Sequence, residues 1–334
     1  MELDNRTPFV SERLVHVDAS GLEVLVVVVK ATFVFTPQGQ VSLAPEQAPL
    51  SFGDTFLGEP GSSSLRYESD LAPEKPSTDV VVVGHAYPPH RQATEVHVSV
   101  RVGPVRNTLA VFGDRTWARP TSPAPFERMP IVYERAFGSR DESPESRSDH
   151  ESERRNPIGK GFRAKGSRLD PSFLPMPNIE DPGALVRSPD DRPEPVGLGF
   201  IGRSWLPRLR HAATAPHPPP PPGSAPPDAS PLLPPSFDPR YHQAAHPRMV
   251  SPAHLHGAEA VELVHMSRLG PLRFALPAST PRATVTIGSE RRPVDLAMDT
   301  VVIEPDDLRF VLVYRGHTAI GRDLFRVRRV EVVS

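Results

Sequence analysis

The sequence contains no cysteine. That single absence removes disulfides, thiolate nucleophiles, zinc–thiolate sites and iron–sulfur clusters from consideration. Net charge is also missing: 38 Lys and Arg stand against 40 Asp and Glu, so no overall field gathers nucleic acid or an anionic membrane. The most apolar run, Val24-Leu25-Val26-Val27-Val28-Val29, is cut by Lys30 and is far shorter than the roughly 20 residues that span a bilayer. Met1 to Arg6 starts acidic, with no apolar stretch before Pro8, which does not read as an export signal. The expectation is a cytoplasmic chain with neither nucleic acid nor membrane as a partner.

What the sequence has in abundance is proline, 43 residues of it. Proline cannot donate to a helix or a central strand, so long irregular stretches must exist. Between them the pattern is β. Glu23 to Phe35 is rich in Val, Thr and Phe, and its continuous valines predict burial on both faces. Gln38-Gly39 turns into Val41-Ser42-Leu43, a hairpin return. Asp79 to Tyr87 is a further valine-rich strand. Thr94 to Val102 alternates, with Val96, Val98, Val100 and Val102 on one face, and Gly103-Pro104 leads into Val105 to Phe112. Together these read as an antiparallel meander. Strands return at Ala260 to Met266, Leu272 to Leu276, Thr284 to Ile287, Leu296 to Glu304 and Leu308 to Tyr314, the last two joined by a turn at Glu304-Pro305-Asp306-Asp307.

The middle is different. Ser139 to Arg155 is charged and serine-rich, a composition that predicts a solvated loop or disorder. His217-Pro218-Pro219-Pro220-Pro221-Pro222-Gly223 lies in a stretch suited to polyproline II, spanning roughly 60 Å if extended. It reads as a spacer or as a docking site for an aromatic-lined groove. The expected fold is all-β, with antiparallel sheets in a sandwich-like body and little helix. Residues 1–136 and 259–334 supply two β regions of one body, and 137–258 an irregular Pro-, Gly- and charge-rich insert.

Several motifs bear on chemistry. Gly197-Leu198-Gly199-Phe200-Ile201-Gly202 fits a dinucleotide fingerprint, but that fingerprint needs a strand before it and a helix after it. Pro193 and Pro195 precede it and Pro207 follows, so a glycine-rich turn region is expected, and no cofactor. His242 and His246 have zinc-helix spacing, yet Gln243 stands where a catalytic glutamate belongs. His254 and His256 would share a strand face without a nearby carboxylate. No metal site is expected from either pair. Ser62-Ser63-Ser64 forms no nucleophile elbow. The clustered charges Arg66, Glu68, Asp70, Arg128, Glu134 and Arg135 read as structural ion pairs bracing the sheet, pairing with one another. Arg326, Arg328 and Arg329 read as the solvated face of an alternating strand.

What remains is a series of polar-aromatic segments joined by Gly and Pro. In order they are Asn5 to Phe9, Val29 to Phe33, Gly58 to Pro73, Asp79 to Tyr87, Pro125 to Pro130 and Tyr133 to Gly138. They continue with Asn156 to Phe162, Phe200 to Arg208, Phe237 to Tyr241 and Asp299 to Pro305. This series resembles a bacterial family of unknown-function domains encoded beside type VI secretion genes, over nearly the whole chain. The chain departs from the family in one place: a proline run stands where members carry a Tyr-Asp and Trp-containing segment before the part matching Leu233 to Tyr241. The resemblance implies an adaptor or chaperone that loads an effector onto the secretion spike and performs no catalysis. Its loops would then present Tyr67, Tyr133, Phe137, Phe162, Trp205 and Tyr241 to the partner, since desolvated aromatics concentrate binding energy. Two other readings stay open. One is a hydrolase-type enzyme whose site joins Glu68, Asp70 and His85; the other is a structural component delivered with the spike.

Overall fold

The computed structural model describes residues 1–18, 21–118, 121–212, 236–321 and 323–334; the proline run at 217–223 lies outside them. The fold is all-β. Among the described residues the one α-helix is Leu206–Leu209, and no helix is long and apolar enough to cross a membrane.

Three sheets carry the chain. The largest runs in the order Val10–Val17, Glu23–Phe35, Arg309–Gly321, Ala297–Glu304 and Asp79–Val82, with Val41–Leu43 hairpinned onto the end of Glu23–Phe35. A five-stranded antiparallel sheet joins Ile179–Glu180, Val105–Phe112, Glu95–Val102, Ala260–Val264 and Leu272–Ala275. A four-stranded sheet holds Glu2–Asn5, Val327–Val333, Arg282–Ile287 and Glu290–Val294. The alternation of Glu95–Val102 is realised residue by residue, its valines buried and its polar residues turned outward. The expected meander is not. Asp79–Val82 leaves that neighbourhood and pairs in parallel with Ala297–Glu304. It is the last strand of the largest sheet, yet all four of its residues are buried, because later segments cover its outer edge, as in the bond from Val82 N–H to the Leu198 carbonyl.

The register of the largest sheet sorts its side chains into two unlike faces. Phe33 lies opposite Phe310, Ala31 opposite Leu312 and Val29 opposite Tyr314. This face meets the five-stranded sheet, where Phe274 stacks at 4.2 Å on Phe35 and at 5.1 Å on Phe310. Each such buried side chain contributes about 1.5–3 kcal/mol. The other face carries Lys30, Thr32, Asp79, Thr300, Glu304, Val311, Val313 and Arg315. It too is buried, mostly under loops. The loop at 44–51 is zipped on by a side chain: the Gln47 amide accepts from Thr32 N–H at 2.9 Å and donates to Thr32 C=O at 3.0 Å.

The segment 139–155 is more ordered than its composition predicts. Arg140–Asp141 pairs with Glu151–Ser152. The buried Asp141 carboxylate accepts from the N–H groups of Ser143 and Ala164, both at 2.9 Å. The fully buried Asn156 donates to the carbonyls of Tyr133 and Phe137. Few apolar residues were needed, because polar anchors hold both ends.

The glycines of 197–202 serve packing. A Cβ on Gly197 would lie 2.8 Å from the Tyr133 ring, and one on Gly202 would lie 2.7 Å from the Trp205 indole nitrogen, whereas one on Gly199 would meet nothing within 4 Å. Gly197→Ala and Gly202→Ala should each cost about 1–3 kcal/mol, as overpacking does. Gly199→Ala should stay within about 0.5 kcal/mol. Urea denaturation of the three variants checks this, and equal losses at all three positions would refute the packing account.

Candidate functional site

The polar face of the large sheet is organised around Lys75. Its three N–H donors are all used: Asp79 Oδ2 at 2.8 Å, Glu68 Oε2 at 3.2 Å and Thr300 Oγ1 at 3.1 Å. Burial would push the Lys75 pKa down, but Asp79 and Glu68 outweigh burial and raise it, so the amine stays charged. Burial likewise opposes ionisation of Glu68, yet Lys75, Arg208 and Arg203 together pull its pKa below the ordinary carboxylate range. The buried Arg208 approaches Glu68 Oε1 at 2.6 Å and also donates to the carbonyls of Tyr241 and Ile201. Arg203 lies 3.5 Å from the same carboxylate and also holds Asp54. Nearby, Arg315 pairs with Asp299 and donates to the carbonyls of Asp70 and Ala72, both at 2.6 Å. Lys30 holds Asp70 at 2.8 Å.

Beside this network lies a cavity of about 660 Å³ between the sheet face and the covering loops. Val302, Val311 and Val313 form an apolar floor, Phe200 and Tyr67 line the sides, and Phe52 stands at the edge. The Tyr67 hydroxyl donates to Glu304, which Arg309 also holds at 2.6 Å. The wall charges are thus compensated by one another. An apolar floor with internally neutralised walls receives an apolar side chain well and leaves little free acid or base to act on it.

The structure places the expected site residues differently from the sequence reading. Tyr133, Phe137, Phe162 and Trp205 are buried, and Tyr67 and Tyr241 are half-buried, so these six do not form an exposed docking face. They pin loops: Tyr133 meets Trp205 edge to face at 5.2 Å, and Phe137 meets Phe162 at 6.5 Å. Among the six charged residues Arg66, Glu68, Asp70, Arg128, Glu134 and Arg135, no pair is formed within the set. Glu68 and Asp70 belong to the network above, and Arg66 rests 5.4 Å over the Tyr67 ring. Glu134 accepts from Ser64, and Arg135 donates to Asp114 and Asn178. Arg128 donates to His85 Nε2 at 2.8 Å. The partners that sequence reasoning missed are Lys30, Lys75, Arg203, Arg208, Asp299 and Arg315. One signal was available: a lysine inside a valine run, as at Lys30, must be neutralised where it lies.

The histidines are dispersed. His85 Nδ1 lies 2.6 Å from Asp306 Oδ2 at a separate cavity of about 330 Å³, so Glu68, Asp70 and His85 do not share a pocket. His254 Nε2 is 3.0 Å from the Lys75 carbonyl, and the His256 N–H donates to Glu259. Among the described residues no group of three or more His, Asp or Glu is placed to hold a metal. Burial, followed by Arg248, lowers the His246 pKa to about 4; burial, followed by Arg208, does the same at His242.

A bacterial family described as "uncharacterized protein conserved in bacteria" (DUF2169) matches residues 20–315. The chain belongs to this family. The matched span includes every residue of the Lys75 network and of the cavity beside it. No curated protein and no solved structure matches the chain.

Two outcomes are expected. Glu68→Gln removes one partner from a buried ionic cluster and should cost about 3–5 kcal/mol; a variant of unchanged Tm would overturn the structural role. In the pH profile, the unfolded histidines protonate near 6.5 while His242 and His246 resist until about 4. The unfolded chain therefore binds more protons in that window, and stability should be full above pH 6.5 and decline below it. Between pH 7.5 and 5 the loss should be about 1–2 kcal/mol per histidine. His246→Asn, which can still accept from the Arg248 N–H, should flatten the profile in urea titrations.

Proposed function

We propose that the chain works by holding another protein: an adaptor or chaperone of a type VI secretion system, in the cytoplasm, that binds an effector or spike protein without turnover. The observation that carries this reading is the covering segment at 50–57. Its Phe52 is 63% exposed and its Leu57 46% exposed, the first at the 660 Å³ cavity and the second at the 330 Å³ one. Two large apolar residues on one loop, each beside a concavity, suit a partner that inserts side chains and covers the loop. The ordered segments behind the family resemblance support it as well. They supply Glu68, Asp70, Asp79, Arg203, Arg208, Tyr241 and Asp299, so the resemblance bears on the scaffold that positions this loop.

A hydrolase reading draws on the His85–Asp306 pair, where a carboxylate orients an imidazole as in general-base sites. Its outer nitrogen is covered by Arg128, which a substrate would have to displace.

The test is co-expression with each protein encoded beside this one, followed by purification through a tag on this chain. An effector or spike protein should co-purify and be more soluble with the chain than without it. Phe52→Glu should abolish that capture at unchanged Tm, since the ring is mostly exposed. If no neighbour is retained, and the purified chain turns over a substrate that His85→Ala abolishes, the adaptor reading is wrong.

A further inference from the structure

The chain holds only four lysines, Lys30, Lys75, Lys160 and Lys165. Lys30 and Lys75 are committed to buried ion pairs, and Lys165 is exposed on a turn. Lys160 is unlike the others. It lies in the Lys160–Gly161 strand, parallel to Phe137–Gly138. The preceding Gly159 fits tightly: a Cβ there would lie 2.6 Å from the Ala136 carbonyl oxygen and 2.8 Å from Gly138 Cα. The backbone that presents Lys160 is therefore closely seated.

The Lys160 side chain lines an open cavity of about 720 Å³ whose other charged members are Asp114, Arg115, Glu134 and Arg135. It is 21% exposed, and among the described residues its Nζ makes no hydrogen bond. The one carboxylate oxygen within 4.0 Å is Asp114 Oδ1, at 3.9 Å. That oxygen already accepts from Arg135 at 3.2 Å and from Asn178 at 3.0 Å. An ammonium needs acceptors for three donors, and this one has a distant, shared one. Burial, followed by the Arg135 guanidinium, lowers its pKa. A desolvated lysine beside a second cation is the setting in which an amine becomes nucleophilic near neutral pH.

We propose that Lys160 captures carbonyl compounds: its amine forms a reversible imine with a small anionic carbonyl compound, a 2-oxo acid or acid-bearing aldehyde, whose carboxylate Arg135 receives. The neutral amine attacks the carbonyl carbon and a C–N bond forms. The carbonyl oxygen then leaves as water, carrying the two amine hydrogens, and the reverse reaction with water releases the ligand unchanged. No oxidant or reductant is involved. Arg135 Nη1 already donates to Asp114 and Asn178, and the remaining N–H groups of its guanidinium supply the donors for the carboxylate; the site is independent of the partner-holding role proposed above.

The experiment incubates the full folded chain with glyoxylate and sodium cyanoborohydride at neutral pH and maps the reduced adducts by peptide mass spectrometry. Lys165, five residues away and exposed, is the internal control. Lys160 should be modified several-fold faster than Lys165, because its amine faces the cavity without a close acceptor and its lowered pKa raises the fraction that is neutral. Acetaldehyde, which lacks the carboxylate, should show a much smaller preference. Arg135→Gln should reduce Lys160 labelling by glyoxylate and leave Lys165 unchanged. Equal rates at the two lysines would overturn the proposal, and this comparison needs no variant that might misfold. Equal preference for glyoxylate and acetaldehyde at Lys160 would overturn the anionic ligand class.

Discussion

The ion cluster of Lys75, Asp79, Glu68 and Arg208 is the constraint from which the rest of the architecture follows. A lysine buried against a sheet is tolerable only when its charge and all its donors are matched, because the uncompensated cost is several kcal/mol. Asp79 comes from a strand, Glu68 from a loop, Thr300 from a second strand and Arg208 from the short helix. Satisfying Lys75 therefore ties the 68–79 stretch to the distant strand that carries Thr300, and Arg208 joins through Glu68. Arg208 extends the requirement through its bonds to the carbonyls of Tyr241 and Ile201, which place the later covering segments.

This arrangement gives the large sheet two kinds of interior. One face is held by aromatic stacking and valine burial, which are non-directional and tolerant of small shifts. The other is held by directional charge pairs that accept one geometry. The covering loops contain little regular structure, yet they are positioned sharply by carboxylates and guanidiniums. Loops set on a rigid sheet in this way are where binding functions commonly reside, and Phe52 and Leu57 sit on such a loop.

Much of the β framework was legible because it depends on local pattern. The alternation of Glu95–Val102, the turn at Glu304-Pro305-Asp306-Asp307 and the doubly buried Glu23–Phe35 each follow from residue types a few positions apart. The parallel pairing of Asp79–Val82 with Ala297–Glu304 was not legible, since it joins segments more than 200 residues apart with no local signature. The charged residues read as ion pairs with one another, and the contacts found are with other residues. Glu68 finds Lys75, Arg203 and Arg208 only after the fold has brought them together. The aromatics misled for a related reason: Tyr133 and Trp205 sit in polar segments, and their burial depends on Gly197 and Gly202 leaving room for the rings. Lys160 gave no sequence signal, because its distinction is that its nearest carboxylate is distant and shared.

The Gln47 clamp on Thr32 sets a mechanical seam in the molecule. Elsewhere the sheet is closed by backbone ladders that come apart only with the strands, whereas here a single side-chain amide substitutes for a neighbouring strand. Beyond Gln47 the loop is held by Ala48 N–H on the Thr32 hydroxyl, Ser51 N–H on Asp70 and Asp70 N–H on the Ser51 carbonyl, bonds of about 1 kcal/mol each that join no two paired strands. Releasing all of these together would free the loop at 44–51 over an intact sheet, a sub-global opening that costs less than unfolding. The same movement would uncover the valine floor of the adjoining cavity. A partner arriving at Phe52 would thus meet a surface whose depth depends on how firmly Thr32 and Asp70 hold this loop.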